Sequence, residues 1–337
     1  METVYIKTEN GLLREDELAL AAGFLQAGEL VAFPTETVYG LGANALDAAA
    51  VARIFAVKGR PADNPLIVHL AHPEQLEQVA VAGDLARALF ERFSPGPLTL
   101  VLPKKPCVPD IVSAGLPTVA VRFPAHPAAK CLLEAGGLPV AAPSANLSGR
   151  PSPTRGEHVA QDLGGKIAMI IDAGPLEIGL ESTVLDVTGA RPVLLRPGGL
   201  AREELERFCG PLETAGSGHK IVSPGMKYAH YAPRGKVIVA ADAEEAARIY
   251  RREKAKGSAV LLLSAESAAE LLPLAGGDIF ILGGKDDLSA IAANLFAAFR
   301  LADERQARAV IVEGVPEKGL GLAIMNRIKK ASGSSAT

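Results

Sequence analysis

The chain has 337 residues, 48% of them hydrophobic, and a net charge of −3, so it can bury a large core and is not a bulk electrostatic binder of nucleic acid. Its three cysteines, Cys107, Cys131 and Cys209, are far apart and form no CxxC or Cys/His zinc spacing, which fits idle thiols in a reducing compartment. Met1–Lys7 carries no basic segment with an apolar run behind it, and no apolar run approaches the ~18 residues of a membrane span, so a cytoplasmic protein is expected.

Residues 14–27 have helical spacing, with Leu13, Leu18, Leu20, Ala21 and Leu25 as apolar members and Gly28 as the stop. Leu30–Phe33 is a short strand running into Pro34-Thr-Glu-Thr-Val-Tyr-Gly40. Asp47 is expected to cap a helix that runs to Lys58, with Gly59 closing it. Leu66–Leu70 is a strand, and helices follow near 73–79 and 83–93. Apolar, β-branched runs at 98–102, 118–123, 139–142, 167–172, 183–187 and 193–195 read as strands, interrupted by helical patterns at 126–136 and 155–163. Strands mixed with helices, without a strict βαβ rhythm, indicate a mixed sheet.

Proline marks a boundary: of 24 prolines, only Pro273 and Pro316 lie beyond Gly235. Beyond it strands at 236–240, 259–263, 278–282 and 309–312 alternate with helices at 243–255, 265–272, 287–301 and 318–330. That is the rhythm of a small parallel, Rossmann-like α/β domain. The expected division is a catalytic domain over 1–212, a linker over 213–235, the small domain over 236–330 and a frayed tail over 331–337. The linker is not a plain spacer, because it carries Tyr228, His230 and Tyr231.

No GxxxxGK[ST] or complete GxGxxG occurs, so neither a P-loop nor a classical dinucleotide site is supported. His69 and His72, three apart at a strand end, would point to opposite faces, and no metal-ligating residue is assigned. Lys58 and Arg60 flank a turn stiffened by Pro61 and Pro65. Read alone, the lysine complements a helix dipole and the arginine is solvated; anion binding is the alternative. Pro143-Ser-Ala-Asn-Leu-Ser-Gly149 follows a strand and reads either as a phosphate-approachable loop or as a plain Asx turn. Glu181-Ser-Thr183 and Arg196-Pro-Gly198 are further polar loops, and Arg122 ends its strand. Together with Thr35 these positions suit a polyanion and a small zwitterion rather than a nucleophile or metal hydrolase.

With Phe33–Gly42, Lys58-Gly-Arg60, Asn64-Pro-Leu66, Ser94–Thr99, Arg122-Phe-Pro124, Pro143–Gly149, Glu181–Thr183, Arg196–Gly198 and Lys227–Pro233, the chain resembles the threonylcarbamoyl-AMP synthases of the YrdC type, in their longer form with an extra C-terminal domain. Gly319–Arg327 resembles the end of that longer form. The resemblance implies a twisted mixed sheet with an open concave face. It implies a nucleotidyltransferase that converts L-threonine, bicarbonate and ATP, with Mg²⁺, to threonylcarbamoyl-AMP and pyrophosphate. A partner enzyme complex would pass the product to tRNA, so that tRNA need not touch this chain. By the same resemblance Lys58 and Arg60 are catalytic. Lys58, Ala62, Thr118, Ser144, Asn146, Ser152, Arg196 and Tyr231 lie on the ATP side, and Tyr228, His230 and Tyr231 would fold over the open face as a lid, an aromatic cluster joining two domains being the alternative. Thr35, His69, Arg122, Ala142 and Ser182 lie on the threonine side. The competing reading is a non-catalytic protein that holds double-stranded or transfer RNA through phosphates.

Overall fold

The computed structural model describes residues 2–214 and 231–333, which divide into two compact units. Among the described residues, the first unit comprises 2–148, 152–176 and 181–214; the second comprises 149–151, 177–180 and 231–333. No described helix is long and apolar enough to cross a membrane.

In the first unit the chain runs β1 (Val4–Lys7), α1 (Glu15–Gln26), β2 (Val31–Phe33), β3 (Gly40–Asn44), α2 (Ala48–Lys58) and β4 (Ile67–His69). It continues through α3 (Leu76–Val79), α4 (Asp84–Phe93), β5 (Leu98–Pro103), α5 (Asp110–Ser113), β6 (Thr118–Arg122), α6 (Pro127–Gly136) and β7 (Val140–Ala141). It closes with α7 (Gly156–Leu163), β8 (Met169–Asp172), β9 (Thr183–Asp186), β10 (Val193–Arg196), α8 (Arg202–Cys209) and β11 (Glu213–Thr214). The strands form one eleven-stranded sheet in the order β1-β8-β2-β3-β7-β4-β6-β5-β9-β10-β11. Pairing is mixed: β4 and β6 are parallel, whereas β5 and β6 are antiparallel.

Local chemistry sets the ends of α2 as expected. The Asp47 carboxylate accepts from the amides of Ala49 and Ala50 at 2.8 and 3.2 Å, and Gly59 takes a left-handed φ of 60°. One core lies where Leu25, Phe33, Leu132, Leu133, Val140 and Ile171 meet, all fully buried. A second apolar layer is made of Ile67, Val101, Ala120, Val184, Val193 and Leu195.

Two differences from expectation bear on the sheet. Gly40–Asn44 pairs with β2 and β7, although its glycines give no β-branched signal. A side chain at Gly42 would lie 2.9 Å from Phe33 and Val140, so glycine is what lets these strands pack. The presumed linker begins as strand β11, paired with β10. Its residues Tyr228 and His230 lie outside the described residues, as do 334–337 of the tail.

In the second unit β12 (Lys236–Ala240), β13 (Ala259–Ser264), β14 (Ile279–Gly283) and β15 (Ala309–Glu313) form a wholly parallel sheet in the order β12-β15-β13-β14. Helices α9 (Ala243–Lys254), α10 (Ala265–Ala275), α11 (Leu288–Glu304) and α12 (Leu320–Ala331) alternate with them. Helix α10 passes Pro273, where the sequence pattern ends at 272; a proline in the last turn removes only one ladder bond. Within this unit Gly179, at φ 72°, lies so close to α11 that a Cβ would fall 2.4 Å from the Cα of Ala293.

Candidate active site

Strand register brings His69, Arg122 and Arg196 onto one face. His69 of β4 stands opposite Arg122 of β6, Arg122 opposite Thr99 of β5, Thr99 opposite Val184 of β9, and Val184 opposite Arg196 of β10. Directly paired residues share a face, so this row presents two arginines, a histidine and a threonine on one side of the sheet. Thr118 lies four residues from Arg122 on the same strand and face, about 13 Å away.

Around the row the polar side chains form three joined groups. In the first, Arg122 is buried and donates from Nη2 to Glu36 Oε1 at 2.6 Å, from Nη1 to Thr37 Oγ1 at 2.9 Å and from Nε to Gly96 O at 3.3 Å. Thr37 in turn meets Thr35 Oγ1 at 2.8 Å, and Thr35 donates to Val38 O at 2.7 Å. The second group forms where Thr99 and Ser182 hydroxyls meet at 2.7 Å. Arg196 Nη2 donates to Ser182 O at 3.0 Å and to Ser182 Oγ at 3.2 Å, and Ser152 donates to Glu181 Oε1 at 2.6 Å. In the third, Lys58 Nζ donates to the carbonyls of Ser144 and Asn146, both at 2.5 Å, and Ser144 Oγ donates to Asn146 Oδ1 at 2.5 Å. Ser148 N returns a bond to Lys58 O at 2.9 Å. Arg60 Nη2 donates to Asn64 O and Pro65 O at 3.2 and 3.1 Å, folding the proline turn back on itself.

Lys58 is therefore a strut that holds the Pro143–Gly149 loop against α2, and is only 3% exposed rather than solvated. Arg122 already uses three of its five N–H donors on the protein, which leaves two directions for a ligand. Ala142, just past β7, donates to Ile67 O at 2.9 Å, and Ala62 sits exposed in the Arg60–Asn64 turn. Tyr231 belongs to the second unit, where its ring stacks on Phe296 at 5.4 Å under the guanidinium of Arg327. Sequence reasoning alone does not single out Glu36, Thr37, Thr99 and Glu181 as site residues. All four lie inside the polar loops and motifs that it does mark, but hydrogen-bond partners far along the chain leave no local signal.

His69 is fully enclosed, and its pKa falls to about 3 through burial and the Arg122 charge, opposed by the carbonyls of Ile67 and Val140. The ring is neutral at physiological pH. Between about pH 6.5 and about 3 the unfolded chain binds a proton here that the folded chain does not, so stability rises with pH across that window. The contribution is on the order of a few kcal/mol. His69→Asn should accordingly lose less stability than wild type between about pH 7 and about pH 4 in urea melts; an unchanged slope would show that His69 titrates normally.

Cations held at strand ends and loops around a mixed sheet, with no P-loop in the sequence, give an α/β protein of a type distinct from the classical nucleotide folds. Residues 23–198 match the family model described as telomere recombination, Sua5/YciO/YrdC, and residues 200–333 match that of the threonylcarbamoyl-AMP synthase C-terminal domain. A threonylcarbamoyl-AMP synthase of Pyrococcus abyssi is 51% identical over 95% of both chains, and one of Bacillus subtilis is 47% identical over 95% of this chain and 94% of its own. The crystal structure of P. abyssi Sua5 complexed with L-threonine superposes with a TM-score of 0.91 at 48% identity, covering 99% of this chain and 98% of that one. The chain belongs to the YrdC-type threonylcarbamoyl-AMP synthase family, in its two-domain form.

Proposed function

We propose that the protein is an L-threonylcarbamoyladenylate synthase, which joins L-threonine, bicarbonate and ATP to give threonylcarbamoyl-AMP and pyrophosphate. The observation that carries this reading is the near-complete superposition on a relative solved with L-threonine. It favours catalysis over passive RNA binding.

On this reading the first unit holds both substrates. Threonine lies over the His69–Arg122 end of the row, its carboxylate meeting the two Arg122 N–H groups not spent on Glu36, Thr37 and Gly96. Thr35 and Ser182 provide hydroxyls, and Ala142 backbone, for the substrate hydroxyl and carbamate. Neutral His69 contributes a hydrogen-bonding ring without adding charge. ATP takes the side carrying Lys58, Arg60, Ala62, Thr118, Ser144, Asn146, Ser152 and Arg196.

The threonine amine first bonds to the bicarbonate carbon, whose C–OH bond breaks, and the hydroxide leaves with an amine proton as water to give a carbamate. A carbamate oxygen then bonds to the α-phosphorus of ATP. The bond from that phosphorus to the β-phosphate's bridging oxygen breaks, and pyrophosphate leaves with the electron pair. Two anions must meet in this step, so Lys58, Arg60 and Arg196 act by neutralising the repulsion and the charge growing on pyrophosphate. Positioning supplies the remainder without a covalent enzyme intermediate.

Among the described residues no group of three carboxylate, histidine or cysteine side chains is placed to hold a metal. A Mg²⁺ carried in on the ATP phosphates needs no such cage and would add charge neutralisation there. The product is a mixed anhydride, so an acyl-transferring partner must consume it. We assign that role to a tRNA threonylcarbamoyltransferase complex.

Pyrophosphate release should require ATP, bicarbonate and an amino acid together, with threonine preferred over serine and valine. Release with no amino acid present would overturn the assignment.

A further inference from the structure

A cavity of about 540 Å³ lies in the first unit between α4, the segment after β4 and the start of α6. That volume falls within the roughly 300–1,000 Å³ of small-molecule sites. Its floor is apolar, with Leu76, Phe90 and Phe123, the last two in edge-to-face contact at 4.9 Å. It opens where the parallel neighbours β4 and β6 end, the place where open α/β sheets bind ligands.

Two polar features give the cavity a chemical preference. Ser94 lines it, and its Oγ is buried with no hydrogen-bond partner among the described residues. A buried hydroxyl left unmatched costs free energy that a ligand acceptor would recover. The rim carries His72, Arg87 and Lys130 against the single lining carboxylate of Glu91. Arg87 is already paired with Glu77, and His72 faces Glu134 at 3.7 Å. Lys130 is exposed and has no carboxylate partner among the described residues.

The cavity backs onto the catalytic face. Phe123 follows Arg122 and points to the opposite side of the sheet, into the cavity. Gly96 ties the two together: its carbonyl accepts from Arg122 Nε at 3.3 Å, and its amide donates to Phe123 O at 2.8 Å. Ser94 and Pro95, which line the cavity, lead directly into Gly96. Whatever fills the cavity presses on the segment that helps to aim Arg122.

We propose that this cavity binds a compact apolar molecule carrying one anionic group, and that its occupant alters threonine affinity through the Ser94–Gly96 segment and Arg122. The second half rests on the proposed threonine site; the first does not. Naphthalene sulfonate is a suitable probe, with naphthalene methanol as its uncharged counterpart. Calorimetric titration of the full chain without threonine should give saturable one-site binding of the sulfonate. Binding should be about tenfold weaker for the alcohol and for Lys130→Glu, the expected effect of removing or reversing one charge at the rim. No saturable binding, or equal affinity for Lys130→Glu, would overturn the site. Threonine affinity is then measured with and without saturating sulfonate. A shift supports the coupling, which must be reciprocal, and an unchanged value overturns it. If threonine fails to bind even without the probe, the catalytic assignment falls, while the sulfonate titration still decides the cavity.

Discussion

Lys58→Met lowers the rate of pyrophosphate formation by roughly a hundred- to a thousandfold, the usual cost of removing one charge-stabilising group from a reacting centre. Methionine keeps an unbranched apolar stem of similar length, so the packing of α2 is largely kept. What is lost is the ammonium, with two consequences. The carbonyls of Ser144 and Asn146 lose their donor, and the loop that carries the Ser144–Asn146 pair loses its strut. A buried carbonyl left unmatched costs about 1–3 kcal/mol, so melting should fall by several degrees. A domain with about 5–15 kcal/mol of stability survives this. The informative comparison is therefore activity of the folded variant below its melting transition. A folded Lys58→Met protein with wild-type turnover would reduce Lys58 to a structural strut.

Gly198→Ala should have an effect of similar size by a different route. A Cβ at this position would lie 2.3 Å from the carbonyl oxygen of Glu181 and the carbonyl carbon of Ser182, and 2.4 Å from the amide of Thr183. All three are backbone atoms, so no side chain can swing away. The loop after β10 and the start of β9 must separate by about 1 Å to restore ordinary van der Waals spacing. Those are the two segments joined by Arg196 and Ser182. A misplacement of that size costs about a hundredfold in rate where positioning carries the chemistry, and overpacking costs about 1–3 kcal/mol of stability. Gly189→Ala is the control, because its Cβ would meet nothing closer than 3.8 Å. Steady-state kinetics on both variants decides the matter: equal activity would show that the Arg196 loop tolerates displacement.

The second unit is the more readable from sequence, because each of its strands is a short apolar run and each helix has its own amphipathic stripe. The runs at 309–312 and 259–263 predict strands, and they pair as β15 and β13. In the first unit, capping chemistry locates α2 to the residue, since Asp47 and Gly59 act within one turn of the chain. Strand β3 escapes the sequence pattern because its glycines are selected by the Phe33 and Val140 side chains that cross them, a tertiary cause.

The site divides in the same way. Of the residues expected on the ATP side, hydrogen bonds join Lys58, Ser144 and Asn146, whereas Arg60 bonds to Asn64 and Pro65 and Arg196 to Ser182. The grip of Glu36 on Arg122 spans 86 positions, and nothing near either residue announces it. Read by its residues alone, Arg122 could simply pair with a carboxylate of the protein, and the family resemblance adds a substrate carboxylate. The fold spends part of its fork on Glu36 and Thr37, which fixes the guanidinium before any ligand arrives. Removing Glu36 would leave a buried cation uncompensated, which is strongly destabilising.

The proposed reaction depends on one carbon being carried from bicarbonate into an adenylate. Incubating the protein with ATP, L-threonine and isotopically heavy bicarbonate, then measuring the mass of the adenylate formed, tests this most directly. A threonylcarbamoyl adenylate heavier by one labelled carbon, absent when threonine or bicarbonate is withheld, is the expected result. AMP or threonyl-AMP without the label would contradict the assignment.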